Sequence, residues 1–162
     1  MKMSSFDYHR PDTVDEAVAL LATYGEDAKV LAGGQSLLPL LALRMTHFGH
    51  LIDIGRVQGL QAIEVDDDGS VSVGATVTHA RVERSDVMAA AAPVVAGAMP
   101  HIGHRAIRSR GTVCGSLAHA DPAAELPAVA LAVGAEMIVQ APAGQRTMAA
   151  GDFFGKLVVE LS

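Results

Sequence analysis

Aromatic residues and cysteine are scarce in this chain of 162 residues. Tryptophan is absent and aromatic residues make up 4% of the sequence, although half of all residues are hydrophobic. A core of this composition must be built mainly from Ala, Val, Leu and Ile. The single cysteine, Cys114, excludes a disulfide within the chain and suits a reducing compartment, so we predict a cytoplasmic location.

Basic clusters and long apolar runs are also missing. The formal net charge is −6 and no run of Lys or Arg exceeds two residues, which argues against a nucleic-acid partner because phosphate binding needs clustered cations. The N-terminal sequence MKMSSFDYHR lacks the apolar stretch of a signal peptide. The longest apolar segment, near LPAVALAVGA, is short and interrupted by Pro and Gly, so we expect no membrane span.

The first third of the chain has an alternating helix and strand pattern. Thr13 and Glu16 have the spacing of a capping box, and an apolar stripe continues to Gly25, which predicts a helix. KVLAGG predicts a short buried strand over 29–31, SLLPLLALRM predicts a helix, and HLIDIG predicts a strand over 50–55.

The pattern changes after residue 57, so we predict a small α/β lobe over 1–57 and an α+β lobe over 58–162. AIEV and SVSVGA alternate with period two around DDDG, as in a hairpin. A helix is predicted from a Thr78 cap, with a break at Pro93. EMIVQA and RTMAA predict two further paired strands.

The first glycine-rich stretch, LAGGQSLLPL, runs from a predicted strand into a predicted helix. Gly33 and Gly34 lack a Cβ, so the backbone can approach a ligand closely and gather several N–H groups. Together with a helix start, this arrangement suits a phosphate or pyrophosphate. The alternative is an ordinary strand-to-helix turn, because the stretch is neither a G-x-G-x-x-G fingerprint nor a P-loop.

A second stretch, GTVCGSLAHADPAAE, repeats the theme. We interpret Gly111 to Ser116 as a second loop whose hydroxyls suit phosphate oxygens. A carboxylate of Asp121 or Glu125 would then accept from ribose hydroxyls. The alternative for Asp121 is that it only caps a helix that opens at Asp121 and Pro122, with Pro127 as a kink.

Four segments, in this order and spacing, carry a family resemblance: LAGGQSLLPLLALR, LIDIGRVQGL, VGATVTH and IRSRGTVCGSLAHADPAAELPA. They closely resemble the FAD-binding medium subunit of the molybdenum hydroxylases, the family of carbon monoxide dehydrogenase and xanthine dehydrogenase. The match covers essentially the whole chain and is nearest to the carbon monoxide dehydrogenase type. It implies a two-lobed α+β FAD-binding domain in which two glycine loops hold the FAD pyrophosphate from opposite sides.

The resemblance also implies which residues contact FAD. The first loop is Ala32, Gly33, Gly34, Gln35 and Ser36, flanked by Val30, Leu31 and Leu37. The second loop is Gly111, Thr112, Val113, Cys114, Gly115 and Ser116. Further contacts are implied at Thr76, Thr78, Ile102 and Glu125.

Three features depart from the family pattern. Gln35 stands where histidine or threonine is frequent. Cys114 stands where the family often has a second glycine, so its Cβ either crowds the phosphates or points away from them. The chain also ends before the C-terminal α+β domain that family members carry.

By the same resemblance, the partners are a molybdopterin large subunit and a small subunit with two [2Fe–2S] clusters. FAD would pass electrons to NAD, a quinone or oxygen, and a homo-oligomer is a further prediction. One alternative is a docking or assembly module that binds FAD weakly or not at all. Another is a binder of a different dinucleotide.

The segment HIGHRAIRSRG is predicted to be a polar loop. Its arginines, Arg105, Arg108 and Arg110, are either solvated, or one of them neutralises the pyrophosphate or docks against a partner subunit. The nearby histidines and Cys114 lack the paired spacing of a zinc site, so we predict no metal. No catalytic acid, base or nucleophile is predicted.

Overall fold

The computed structural model describes residues 3–154. The terminal LVVEL, predicted from its sequence to be an exposed strand edge, lies outside these residues. The first part of the chain contains three strands and two helices: β1 (Asp7–His9), α1 (Val14–Tyr24), β2 (Ala28–Leu31), α2 (Leu37–Ala42) and β3 (His50–Asp53).

The three strands form one parallel sheet in the order β1-β3-β2. In the register between β2 and β3, Ala28 pairs with His50 and Leu31 pairs with Asp53. Leu51 and Ile52 on the central strand are completely buried, whereas Lys29 and Val30 on β2 are exposed, so β2 is an edge strand rather than the buried strand predicted. Ligands of parallel sheets bind outside the carboxyl ends of the strands, which here places the chain after Leu31 at such an edge.

Helix α1 forms where the capping box predicted it. Thr13 Oγ1 accepts from the Glu16 amide at 3.2 Å, and the Glu16 carboxylate accepts from the Thr13 amide in return. The helix ends at Gly25, which has a φ of +55°. It packs on the sheet and buries Ala17 against a first core that includes Ile52 and Val57.

The rest of the chain contains seven helices and four strands among the described residues: β4 (Ile63–Val65), β5 (Val71–Val73), α3 (His79–Glu83), α4 (Asp86–Ala91), α5 (Pro93–Ala98), α6 (Arg105–Arg108), α7 (Val113–His119), α8 (Glu125–Ala132), β6 (Glu136–Ala141), β7 (Gly144–Ala149) and α9 (Ala150–Phe153). The pairs β4–β5 and β6–β7 are antiparallel hairpins, as predicted. The helices surround a second core that includes Val82, Met88 and Met99. Leu60 and Ala75 pack on the first core, and the boundary near residue 57 stays a prediction.

Two predictions for this part of the chain, one of a helix and one of a loop, were wrong in detail. The helix from Thr78 breaks already before Ser85, whose side chain caps α4 by accepting from the Met88 amide. The segment before Gly111 was predicted to be a loop but contains the single turn α6. A short polar residue that can cap a new helix competes with helix continuation, and this explains the break at Ser85.

The helix after Asp121 begins later than predicted. The Asp121 carboxylate accepts from the Ala123 amide at 2.9 Å and closes a turn, and α8 starts at Glu125. Pro127 lies in the first turn of α8 and causes no interruption, because N–H groups in a first turn have no partner within the helix.

Candidate functional site

The first glycine loop, residues 32–36, leaves the carboxyl edge of the parallel sheet directly after β2. Gly34 has a φ of +73°, a backbone conformation that side chains with a Cβ rarely adopt. Its carbonyl oxygen accepts from the Leu38 amide at 3.0 Å and so begins α2. The positive φ turns the chain sharply from strand to helix and leaves the loop backbone partly exposed.

Four consecutive amides of this loop are unpaired. Within residues 3–154, the N–H groups of Gly33, Gly34, Gln35 and Ser36 donate to no protein group. The Gln35 side chain folds back, and its Nε2 donates to the Gly33 carbonyl at 3.1 Å. A run of unpaired amides that leads into a helix start is typical of a site that binds an anion.

The second glycine loop, residues 111–116, was predicted to be irregular, but most of it is the first turn of α7. Thr112 is the N-cap residue, and its Oγ1 accepts from the Gly115 amide at 3.0 Å. The Thr112 hydroxyl oxygen therefore serves the helix as an acceptor, while its O–H can still donate to a ligand oxygen. The amides of Thr112 and Cys114 donate to no group in the described part of the chain.

A backbone bridge ties the second loop to the second core. The Gly111 carbonyl accepts from the His79 amide at 2.9 Å, and the Val113 amide donates to the Val77 carbonyl at 3.1 Å. These bonds pair Thr112 with Thr78. Two residues that sequence reasoning assigned separately to one site, Thr78 and Thr112, are thereby neighbours.

The two glycine loops are in direct contact. A Cβ added to Gly33 would stand 2.1 Å from the Arg110 carbonyl oxygen and 2.8 Å from the Gly111 Cα. A Cβ on Gly115 would stand 3.8 Å from the Ala32 Cβ. Only a glycine at position 33 permits this approach, because a methyl group there overlaps backbone that cannot rotate away. Six unpaired amides thus lie on two touching segments.

Cys114 does not crowd these segments with its thiol. Sγ lies 3.5 Å from the Val73 carbonyl oxygen, which places the side chain against the β4–β5 hairpin. Burial raises the pKa of the thiol to about 11, so it stays protonated at neutral pH. Cysteine at this position is thus compatible with the loop, and Cys114 is a packing residue rather than a nucleophile.

Of the three arginines before the second loop, Arg108 is fully engaged within the protein. Its Nε donates to Glu83 Oε2 at 2.9 Å and its Nη2 to Glu83 Oε1 at 3.2 Å, and its Nη1 donates to the carbonyl oxygens of Ile102 and Gly103. This contact lowers the pKa of the Glu83 carboxyl. Arg110 is exposed and has no ion pair within residues 3–154. Arg110 is therefore the cation next to Gly111 that is available to an anion.

The remaining predicted site residues differ in burial and in the hydrogen bonds that they make. Thr76 donates its hydroxyl to the Leu60 carbonyl at 2.7 Å. One oxygen of the exposed Asp121 carboxylate accepts within its own turn, which leaves the other oxygen able to accept from a ligand hydroxyl. Ile102 is buried, with its carbonyl fixed by Arg108. Glu125 lies near enough to His79 to favour a higher pKa of its imidazole, against the lowering caused by burial. Val30, Leu31 and Leu37 flank the first loop in the chain, at the end of β2 and the start of α2.

Sequence reasoning missed the buried His79 and the pairing of Arg108 with Glu83. His79 is 4% exposed and supports the second loop from behind, and Arg108 and Glu83 form the ion pair that fixes the chain before it. Partners separated by 25 residues give no local pattern. The only sequence signal was the position of His79 directly after the Thr78 cap.

The donor set matches a phosphate-bearing ligand better than a metal. Within residues 3–154, no group of three or more His, Cys, Asp or Glu side chains is arranged to hold a metal ion. Unpaired amides instead offer hydrogen bonds to anionic oxygens, and they do so on two segments that touch at Gly33, where an added Cβ would overlap the Arg110 backbone.

The family described as the FAD binding domain in molybdopterin dehydrogenase matches residues 4–160. This chain belongs to that family. FAD is thus the cofactor of the domain, and the unpaired amides of the two glycine loops fit its pyrophosphate. The resemblance deduced from the sequence motifs is confirmed.

Two relatives show how specific the likeness is. The FAD-binding domain is 47% identical over 146 residues to the 6-hydroxypseudooxynicotine dehydrogenase complex subunit alpha of Paenarthrobacter nicotinovorans, covering 90% of this chain and 49% of that protein. It is 42% identical to the carbon monoxide dehydrogenase medium chain of Hydrogenophaga pseudoflava, covering 92% of this chain and 52% of that protein. The chain spans about half the length of the curated relatives it matches.

Solved structures confirm the α+β fold of the FAD-binding domain. Carbon monoxide dehydrogenase from Hydrogenophaga pseudoflava superimposes with a TM-score of 0.90 at 41% identity, over 93% of this chain and 52% of that chain. Quinoline 2-oxidoreductase from Pseudomonas putida gives the same TM-score and identity, over 94% of this chain and 53% of that chain. Among residues 3–154, no helix has the length and apolar character needed to cross a bilayer.

Proposed function

We propose that this chain is the FAD-binding part of an electron-transfer subunit in a molybdenum-containing hydroxylase or dehydrogenase. The observation that carries the proposal is the contact between two glycine loops that together present six unpaired backbone amides. Bound FAD would supply the redox chemistry that links the [2Fe–2S] clusters of a partner subunit to an external acceptor.

The first glycine loop would hold the pyrophosphate through four amides, with no side chain required. The bend at Gly34 gathers these donors, and the flanking residues Val30, Leu31 and Leu37 would pack beside the cofactor. Because the donors belong to the backbone, Gln35 in place of histidine or threonine leaves them unchanged. This explains how the loop tolerates that departure from the family pattern.

The second glycine loop would bind from the opposite side through the amides of Thr112 and Cys114. The positive end of α7 adds a favourable field for an anion. We assign the exposed Arg110 as the neutralising cation, because Arg108 is occupied by Glu83. Contacts at Thr76, Thr78, Ile102, Asp121 and Glu125, and with the remaining loop residues, are part of the same proposal.

The same proposal places the chain in a larger assembly. A molybdopterin subunit would oxidise the substrate, and a small subunit would carry two [2Fe–2S] clusters. The relatives named as medium chains belong to complexes of several subunits, which supports such partners. We further propose two lobes that meet near residue 57, since the two cores lie largely on either side of it.

FAD retention tests this function directly. The purified chain is mixed with excess FAD, desalted and examined for a flavin spectrum, with a calorimetric titration to give the affinity. Gly33→Ala should weaken binding about tenfold or more, because its methyl group forces the loops apart. The matched control is Gly97→Ala, since a Cβ at Gly97 in α5 meets nothing within 4 Å and alanine favours a helix.

The outcomes separate the candidate functions. Stoichiometric FAD that is lost with Gly33→Ala but kept with Gly97→Ala supports the proposal. A chain that circular dichroism shows to be folded and that retains no FAD would contradict it and favour a docking or assembly module. Preferential binding of another dinucleotide in competition would favour the remaining alternative.

A further inference from the structure

The second glycine loop rests on a buried histidine that has no role in the function proposed so far. His79 is the first residue of α3 and is 4% exposed. Its ring atoms Cε1 and Nδ1 lie 3.1 Å from the position that a Cβ on Gly111 would occupy. The imidazole therefore packs directly against the backbone of the loop, and the absence of a side chain at Gly111 allows this contact.

No hydrogen bond satisfies this ring. Neither Nδ1 nor Nε2 has a hydrogen-bond partner in the part of the chain that the structure describes. The backbone of Thr112 is near enough to favour a charged ring, but its geometry falls short of a hydrogen bond. Because a buried polar group without a partner is unfavourable, its retention beside a ligand loop points to a partner or a charge supplied by the ligand.

The charges around His79 come from two neighbouring helices. Burial is the main cause that lowers the pKa of His79, and Arg108 of α6 adds to it. Glu125 at the start of α8 acts in the opposite direction, and Arg108 is itself paired with Glu83. Cys114 is neutral because of its raised pKa. The imidazole is thus held neutral at physiological pH by burial and lacks a nearby anion strong enough to charge it.

We propose that His79 takes up one proton when the pyrophosphate of FAD occupies the two glycine loops. This inference rests on the proposed function, which places two negative charges against the loop that His79 touches. A nearby anion favours the imidazolium form and offsets the loss of hydration that burial imposes. The proton comes from solvent and forms an N–H bond on the ring, so the positive charge of His79 balances part of the negative charge of the ligand.

The proposal fixes the sign of a pH effect. In the free protein the pKa of His79 lies below its ordinary value, and in the complex the anion raises it. Between these two values the complex holds one proton more than the free protein, so FAD affinity rises as the pH falls. The increase is at most about tenfold per pH unit within that window and disappears outside it.

Calorimetry of the full chain with FAD measures the proton directly. Titrations near pH ~6.5 in two buffers of different ionisation enthalpy give the number of protons taken up on binding. We expect about 0.5 to 1 proton for the wild type, and affinity about fivefold or more higher near pH 6 than near pH 8. His79→Phe fills the same buried space without a titrating group, so its proton uptake and its pH dependence should be close to zero.

A surface histidine serves as the matched control. His119 lies exposed at the end of α7, and His119→Gln should retain the wild-type proton uptake. If His79→Phe does not fold, NMR of the His79 Cε1–H in the wild type at pH ~6.5 must still show the ring becoming charged on FAD addition. Binding without proton uptake, or equal uptake in His79→Phe, overturns this inference alone. Absence of FAD binding at every pH refutes the proposed function and this inference with it.

Discussion

The two glycine loops face the same space but are built in opposite ways. The first loop leaves four consecutive amides unpaired, and Ser36, at the cap position of α2, makes no capping hydrogen bond through its side chain. The second loop is fixed by the Thr112 cap and by two backbone bonds to the strand-like segment around Thr78. One loop is an open set of donors, and the other is part of the folded core.

This difference indicates which property each loop controls. Changes in the first loop should affect mainly ligand affinity, because few of its polar groups hold the fold together. Changes in the second loop should affect stability first and affinity as a consequence. The direct contact between Gly33 and Arg110 means that the second loop also sets the position against which the first loop packs.

The largest expected effect comes from the ion pair that holds the approach to the second loop. Arg108→Ala removes the contact with Glu83 and the hydrogen bonds to the Ile102 and Gly103 carbonyls. We expect a loss of about 2–3 kcal/mol in the free energy of unfolding, measured by urea denaturation. The control is Arg105→Ala, an exposed position on the same helix, which should change stability by less than about 0.5 kcal/mol. Equal effects at both positions would contradict the anchoring role of Arg108.

A smaller effect is expected at the N-terminal cap residues of α7 and α2. Thr112→Ala removes a side-chain cap and should lower the free energy of unfolding by about 1–2 kcal/mol, whereas Ser36→Ala should change it by less than about 0.5 kcal/mol. Thr112→Ser keeps the hydroxyl and should recover most of the loss. If Ser36→Ala destabilises as much as Thr112→Ala, the first loop is not the open structure described above.

The smallest effect concerns the exposed cation beside the second loop. Arg110→Gln should weaken FAD binding about two- to threefold at low ionic strength, and the difference should shrink in high salt because exposed charges are screened. Fluorescence titration of FAD at two salt concentrations measures both. Arg146→Gln on the exposed β7 strand is the control, with no change expected. A salt-independent loss at Arg110 would show that the side chain supports the loop structurally instead.

Local sequence signals predicted the elements that depend on local chemistry. The capping box at Thr13 and Glu16 predicted α1, period-two alternation predicted the first hairpin, and the strand-like segments EMIVQA and RTMAA predicted the second. Strand β1 was missed because its three residues pair only with the distant β3, and three residues carry no measurable period. The first turn of α7 was taken for a loop because its small residues have weak helix preference.

In the candidate site, too, local features could be predicted from the sequence and contacts between distant segments could not. The glycines of both loops were found because close backbone approach demands that residue type, and their family motifs are distinctive. The contact between Gly33 and Arg110, the burial of His79 and the pairing of Arg108 with Glu83 depend on how distant segments pack. Such contacts leave no spacing in one sequence, so only the folded structure shows them.

The single cysteine gives the molecule a built-in reporter of local opening. Cys114 sits in the first turn of α7 with its thiol against the Val73 carbonyl, and its pKa of about 11 leaves little thiolate at neutral pH. A thiol reagent should therefore react slowly while the thiol packs against the hairpin, and faster when the second loop moves away from it. The rate of labelling would report how often the second loop moves, and a bound cofactor that contacts both loops would lower that rate.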